Sequence, residues 1–156
     1  LIEPVETKEN LRIEELVIVV DTSYSTSGEL VKKFLRETFT ILSETDSFFR
    51  KRKIHIIQCD ELVHSDITVT GDTDIDILIN NFDLAGGGNT DFRPAFEYVN
   101  NLIDTGEIKK LQGLLYFTDG KGKYPKKKMP YNTAFVFIDK LSETAVPAWA
   151  MKVSLE

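Results

Sequence analysis

Cysteine occurs once in the 156 residues, as Cys59, so no disulfide can form within the chain. Set in the apolar run Ile54-His55-Ile56-Ile57-Gln58-Cys59, that thiol reads as buried and inert, and the usage fits a reducing compartment, with a cytoplasmic location expected. No apolar run approaches the roughly 18 residues of a membrane-spanning helix. The opening Leu1-Ile2-Glu3-Pro4-Val5-Glu6 has neither the basic nor the apolar region of a signal peptide. Basic charge is short as well: 19 Lys and Arg stand against 25 Asp and Glu, a net charge of −6. General nucleic-acid binding needs a basic face, so neither a nucleic-acid nor a membrane partner is expected. Histidine appears only as His55 and His64. With no HExxH and no third nitrogen or sulfur ligand beside them, zinc is not expected. The first residue is not Met, and the chain reads as a piece of a longer protein.

What is present is enough apolar material, 42% of residues with 10 Phe, for one well-filled core. Residues 1–15, polar and carrying Pro4, read as a lead-in arm; 16–156 read as a single domain. Leu16-Val17-Ile18-Val19-Val20 is too short for a helix core and, being mostly β-branched, suits a strand buried on both faces of a parallel sheet. Asp21, Ser23 and Ser25 follow at alternate positions, where a strand of an open α/β sheet ends and ligands are held.

Thr26-Ser27-Gly28-Glu29 has capping-box spacing and predicts a helix over 28–43, with Leu30, Val31, Phe34, Leu35, Phe39, Ile41 and Leu42 as its apolar stripe. Arg50-Lys51-Arg52-Lys53 opens the next strand as a solvated basic run. Strands over 54–59 and 62–69, joined by the tight turn at Asp60-Glu61, must pair antiparallel, which makes the second an edge strand. A short helix is expected over 74–80. Then comes Gly86-Gly87-Gly88-Asn89-Thr90-Asp91. Three glycines together are kept where a backbone turns sharply or approaches something closely. Thr90 or Asp91 can cap a helix running to Gly106, with Pro94 in its first turn and Phe92, Phe96, Val99 and Ile103 buried. The strand over 113–117 ends in Thr118-Asp119-Gly120, a second strand terminus with a carboxylate. Lys121 to Pro130 holds five lysines and two prolines, a basic loop beside the presumed site. Strands over 133–138 and 148–153 complete the chain. The right-handed crossover rule gives a mostly parallel six-stranded sheet of order 3-2-1-4-5-6, only strand 3 antiparallel, with helices on both faces.

Two carboxylates and several hydroxyls arriving from three loops suit a hard divalent cation, Mg²⁺ or Mn²⁺, which prefers oxygen ligands. Asp21-x-Ser23-x-Ser25, then Gly-Gly-Gly-Asn-Thr90, then Phe-Thr-Asp119-Gly resembles the metal ion-dependent adhesion site of von Willebrand factor A (VWA) domains, over nearly the whole chain. The resemblance implies a Rossmann-like VWA fold in which Ser23, Ser25 and Thr90 supply hydroxyl oxygens. It also implies that Asp21 and Asp119 hold the ion directly or through water, and that a carboxylate from a partner protein fills the open position. Lys121, Lys123, Lys126, Lys127 and Lys128 would form a positive rim for that partner. More narrowly, Leu-Leu-Tyr-Phe-Thr-Asp-Gly-Lys-Gly-Lys-Tyr-Pro with the later Pro147-Ala148-Trp149-Ala150 is similar to the VWA-like domain at the C-terminus of bacterial predicted metal-dependent peptidases. The peptidase motif of that family lies in an N-terminal region with no counterpart here. The family's association with MoxR-type AAA+ ATPases makes such an ATPase a candidate partner by analogy.

Rival chemistries fit less well, and the chain is not expected to be an enzyme. A haloacid dehalogenase-type phosphatase needs a second acid where Ser23 stands. A P-loop or dinucleotide site needs its glycines directly after the first strand, where only Gly28 stands. A serine hydrolase needs a His at Ser23 or Ser25, and both histidines belong to other strands. The remaining alternatives are a metal-dependent hydrolase, or an accessory domain of a metallopeptidase whose catalytic region lies outside this chain. Acids that merely cap helices would be the plainest reading.

Overall fold

The computed structural model describes residues 14–22, 28–44, 52–118, 122–137 and 146–154. Six strands, β1 (Glu14–Asp21), β2 (Arg52–Cys59), β3 (Val63–Val69), β4 (Leu111–Thr118), β5 (Asn132–Phe137) and β6 (Met151–Ser154), form one sheet of order β3-β2-β1-β4-β5-β6. β1 lies parallel to β2 and β4, β4 to β5 and β5 to β6, while β2 and β3 pair antiparallel. This is the expected sheet. Among the described residues the helices are α1 (Gly28–Glu44), α2 (Ile75–Asn80) and α3 (Arg93–Asp104).

The alternation of side chains along β1 divides the core. Ile18 and Val20 face the α1 and α2 side, where Val31, Phe34, Leu35 and Phe39 cover them and Phe34 stacks on Phe117 at 4.5 Å. Val17 and Val19 face α3 and an aromatic cluster of Phe92, Phe96, Tyr116, Phe135 and Phe137. Each fully buried apolar side chain contributes roughly 1.5–3 kcal/mol. A strand with apolar residues on both faces can only sit in the middle, which is why β1 is central.

Several boundaries differ from the sequence reading. β1 begins two residues earlier because Glu15 is buried, its Oε1 accepting the Lys109 backbone N–H at 3.0 Å. The α1 stripe is narrower, Leu30 and Ile41 being exposed. β6 starts at Met151, since a turn with the Ala150 N–H on the Pro147 carbonyl at 3.2 Å comes first. α3 has Phe92 at its N-cap position with no side-chain cap, so neither Thr90 nor Asp91 plays that part. Asp91 accepts the Arg93 N–H instead, at 3.0 Å. Asp74 does cap α2, accepting from the Ile77 N–H. Thr26 and Ser27 of the expected capping box lie outside the described residues.

Candidate functional site

β1 ends on Asp21, whose side chain is fully buried, and its Oδ2 accepts a hydrogen bond from Thr118 Oγ1 at 2.5 Å. The last residues of two adjacent parallel strands are thus joined by side chains at the carboxyl edge of the sheet, the edge where open α/β folds bind ligands. Pairing runs on through the Thr22 N–H to the Cys59 carbonyl at 3.0 Å, and the Thr22 carbonyl accepts the Gly87 N–H at 2.8 Å. The glycine loop therefore sits on the residue that follows Asp21.

Close approach explains two of the three glycines, Gly86 and Gly88. Gly86 has φ +124°, and a Cβ on it would stand 2.7 Å from Thr22 Oγ1 and 3.0 Å from Asp60 Oδ2. A Cβ on Gly88 would stand 2.9 Å from the same Asp60 oxygen. Asp60 is the anchor beneath the loop and only 4% exposed. Its Oδ1 accepts the Leu62 N–H at 2.9 Å and meets His64 Nε2 at 2.8 Å; its Oδ2 accepts the Gly88 N–H at 3.0 Å. Its carbonyl accepts the Asp91 N–H at 3.2 Å. Burial opposes the charge, but the two backbone donors and His64 together hold this carboxyl below its ordinary range. An Asp at a hairpin tip foretells its bond two residues on. Nothing local foretells the bond to Gly88, so sequence reading left Asp60 as a turn residue.

Thr90 lies between the two points that Asp60 holds, Gly88 and Asp91. A Cβ on Gly122 would stand 2.7 Å from Thr90 Cγ2 and 3.0 Å from the Phe92 ring, and the Phe92 N–H donates to the Lys123 carbonyl at 3.0 Å. The segment that follows Asp119 thus passes directly against Thr90. The end of β1, the glycine loop and the segment after β4 converge at one edge of the sheet. Ser23, Ser25, Asp119 and Lys121 fall outside the described residues. The described donors at this edge, the Asp21 carboxylate and the Thr90 hydroxyl, are both oxygens, a set that suits a hard cation rather than a soft one. Among the described residues no three His, Cys, Asp or Glu side chains cluster as metal ligands would.

Both histidines are engaged by carboxylates. His55 Nδ1 lies 2.9 Å from Asp66 Oδ1, while Tyr98 donates to Asp66 Oδ2 at 2.6 Å. Burial would raise the Asp66 carboxyl, but the His55 and Tyr98 hydrogen bonds hold it below its ordinary value. Cys59 is buried, and desolvation pushes its thiol up to about 12, in keeping with an inert role.

The lysines are spread rather than gathered. The 122–131 segment contains no regular element and crosses from β4 back to the start of β5 over α3. Lys123 lies at the site beside Asp91 and Phe92. Lys126 and Lys127 run along the first half of α3. Lys128 lines a hollow with Leu111 and Asn132, at the opposite edge of the sheet.

A family model described as VWA-like domain (DUF2201) matches residues 16–156. Two solved structures share the fold. The SpRpn10 VWA domain superposes with a TM-score of 0.55 at 13% identity, over 92% of this chain and 88% of that one. An aerotolerance-related membrane protein from Bacteroides fragilis gives 0.50 at 13%, over 80% and 67%. At such identity they establish the fold alone. No relative was found among curated proteins. No helix of the described residues is long and apolar enough to cross a membrane.

Proposed function

The chain belongs to the VWA-like domain (DUF2201) family, a fold used for protein interaction and adhesion, and on that premise we propose that it is a cytoplasmic, divalent-ion-dependent interaction module. The ion, Mg²⁺ or Mn²⁺, is held by Asp21, Ser23, Ser25, Thr90 and Asp119, and bound there it supplies a Lewis-acidic position for a partner's carboxylate. The observation that carries this reading is that two other parts of the chain meet the glycine loop, the end of β1 at Gly87 through Thr22 and the segment after β4 at Thr90 through Gly122. Asp60 and Thr22 set the height of the glycine loop, so Thr90 is positioned before any ion arrives. The residues act by holding and orienting, and no catalytic step is assigned to the chain. A hydrolase reading gains nothing from His55 or His64, which are committed to Asp66 and Asp60. By resemblance we place the chain as the C-terminal domain of a larger bacterial protein of the predicted metal-dependent peptidase type, with a MoxR-type AAA+ ATPase as its partner.

Thermal unfolding with and without divalent ions tests the ion. At about 100 times its dissociation constant an ion adds roughly 2.7 kcal/mol to the stability of the native state. Mg²⁺ or Mn²⁺ should therefore raise the melting temperature of the wild type but not that of Asp119→Ala. Without an ion that variant should be no less stable than wild type, because the repulsion between Asp21 and Asp119 is gone. A wild type indifferent to both ions would refute the ion site.

A further inference from the structure

The described part of the connection from β4 to β5, residues 122–131, crosses α3 without a helix of its own, and this leaves a groove of about 460 Å³ along the first half of α3. Pro125 and Pro130 account for the missing helix, each lacking an N–H and fixing φ. The crossing segment is nevertheless pinned along its length. Tyr124 packs on Phe92 and Phe135 with ring centroids at 4.6 and 4.9 Å, Trp149 Nε1 donates to the Pro125 carbonyl at 3.3 Å, and the Tyr131 hydroxyl donates to Asn100 Oδ1 at 3.1 Å. The groove is thus preformed, and its volume lies within the roughly 300–1,000 Å³ of ordinary ligand clefts.

Its lining is apolar below and basic at one rim. Pro94, Pro125 and Met129 supply the apolar surface over the buried Phe96, and Lys126 and Lys127 stand exposed above it. Arg93 adds no net charge, since Asp91 holds it with two hydrogen bonds at 2.9 and 2.8 Å. Besides Asp91, Glu97 is the other acid that lines the groove, and no described carboxylate pairs with Lys126 or Lys127. On a chain of net charge −6, two neighbouring lysines over an apolar floor discriminate by sign. The groove also runs to Asp91, next to Thr90.

We propose that this groove docks an extended acidic segment of a partner protein, apolar side chains on Pro94, Pro125 and Met129 and carboxylates toward Lys126 and Lys127. The inference rests on the chain being an interaction module but takes nothing from the ion. A segment seated here ends beside Thr90, where a further carboxylate of the same partner could reach the ion position.

The test is a random dodecapeptide phage library panned on the intact chain with EDTA present, so that the ion plays no part. Selected sequences should be rich in Asp and Glu with interspersed Leu, Phe or Pro. As synthetic peptides followed by fluorescence anisotropy, they should lose about tenfold in affinity to Lys126→Glu/Lys127→Glu and gain several-fold with Glu97→Lys. A gain cannot come from a misfolded variant. Lys32→Glu/Lys33→Glu on α1, across the sheet, should change nothing. No binders, binders without acids, or binders indifferent to the groove variants would each overturn the proposal. Binding that appears only when Mg²⁺ replaces EDTA would overturn the groove while sparing the ion site.

Discussion

The glycine loop around 86–91 and the crossover at 122–131 are both irregular, both lie against α3 or its approach, and both reach Thr90, yet they are held in different ways. The glycine loop is fixed by hydrogen bonds converging on one buried carboxylate, Asp60, and on the Thr22 carbonyl. The crossover is fixed by aromatic packing at Tyr124, with hydrogen bonds scattered along it, from the Phe92 N–H to the Lys123 carbonyl, from Trp149 to the Pro125 carbonyl, from Asn100 to Met129 Sδ and from Tyr131 to Asn100. Hydrogen bonds to a charged group carry strict geometry, and leaving their donors unsatisfied costs more than making them gains. Packing tolerates sliding and substitution of whatever points outward. One segment is therefore built to keep a single position at the site, and the other to vary its exposed lysines without disturbing the fold.

Substitution within the glycine run should separate these effects most sharply. Gly86→Ala forces a Cβ into Thr22 and Asp60 at a positive φ and should cost about 3 kcal/mol. Gly87→Ala, at φ +100° with nothing within 4 Å, should cost only roughly 1 kcal/mol. Chemical denaturation of the two variants checks the ranking. Equal losses would mean that backbone strain alone, and not the approach to Asp60, sets the loop.

Removing the anchor itself comes next. Asp60→Ala leaves the Leu62 and Gly88 N–H groups and His64 without their acceptor, at a cost of about 2–3 kcal/mol. It should also weaken any Mg²⁺ response, whereas Tyr124→Phe should leave that response intact. An Asp60→Ala protein with the full Mg²⁺ shift would show that Thr90 does not depend on this clasp.

Acid should act on the same side of the comparison. Asp60 and Asp66 both have carboxyls held below the ordinary value of 3.8, so near that pH the folded protein binds fewer protons than the unfolded chain. Their stabilisation is present above the ordinary value and is lost as pH falls through the lower folded values. Melting temperatures taken between about pH 2 and 6 should fall steeply below about pH 4 for wild type and less steeply for Asp60→Asn. Parallel curves would remove Asp60 from the acid transition.

The asymmetry also marks what could be read in the sequence. β1 and the sheet order were legible because a β-branched run buried on both faces has one place in an α/β sheet, and the turn at Asp60-Glu61 allows only an antiparallel neighbour. The glycine loop was legible as a place of close approach, though not what it approaches: Asp60 and Gly88 are 28 positions apart and meet only through the fold. The path of the crossover was hidden too. Lysine and proline content forbade a helix there, but only packing of Tyr124 and Met129 on the aromatic face of the sheet carries Lys126, Lys127 and Lys128 progressively away from Thr90. Local pattern gives elements and their faces, while long-range hydrogen bonds and irregular paths come from tertiary structure.

The smallest expected effect on stability belongs to the lysines themselves. Lys126, Lys127 and Lys128 are exposed and make no ion pair with a described carboxylate, so replacing all three with Gln should leave unfolding free energy within roughly 0.5 kcal/mol of wild type. Their charge acts at a distance instead. Exposed rim charges steer encounter and are screened by salt within roughly 10 Å at 0.1 M. With an acidic peptide selected on the groove, the triple variant should associate more slowly at low salt and show a flatter dependence of association rate on ionic strength, and the two proteins should converge at high salt. Lys123, at the edge of the ion position, provides the control within the same segment. Lys123→Gln should slow association less in EDTA, because it lies outside the groove lining, and its effect should grow once Mg²⁺ is added and a carboxylate is drawn toward Thr90. Stopped-flow mixing of the labelled peptide with each variant measures both quantities, and equal association rates at low salt for wild type and the triple variant would leave the lysines no role beyond solubility.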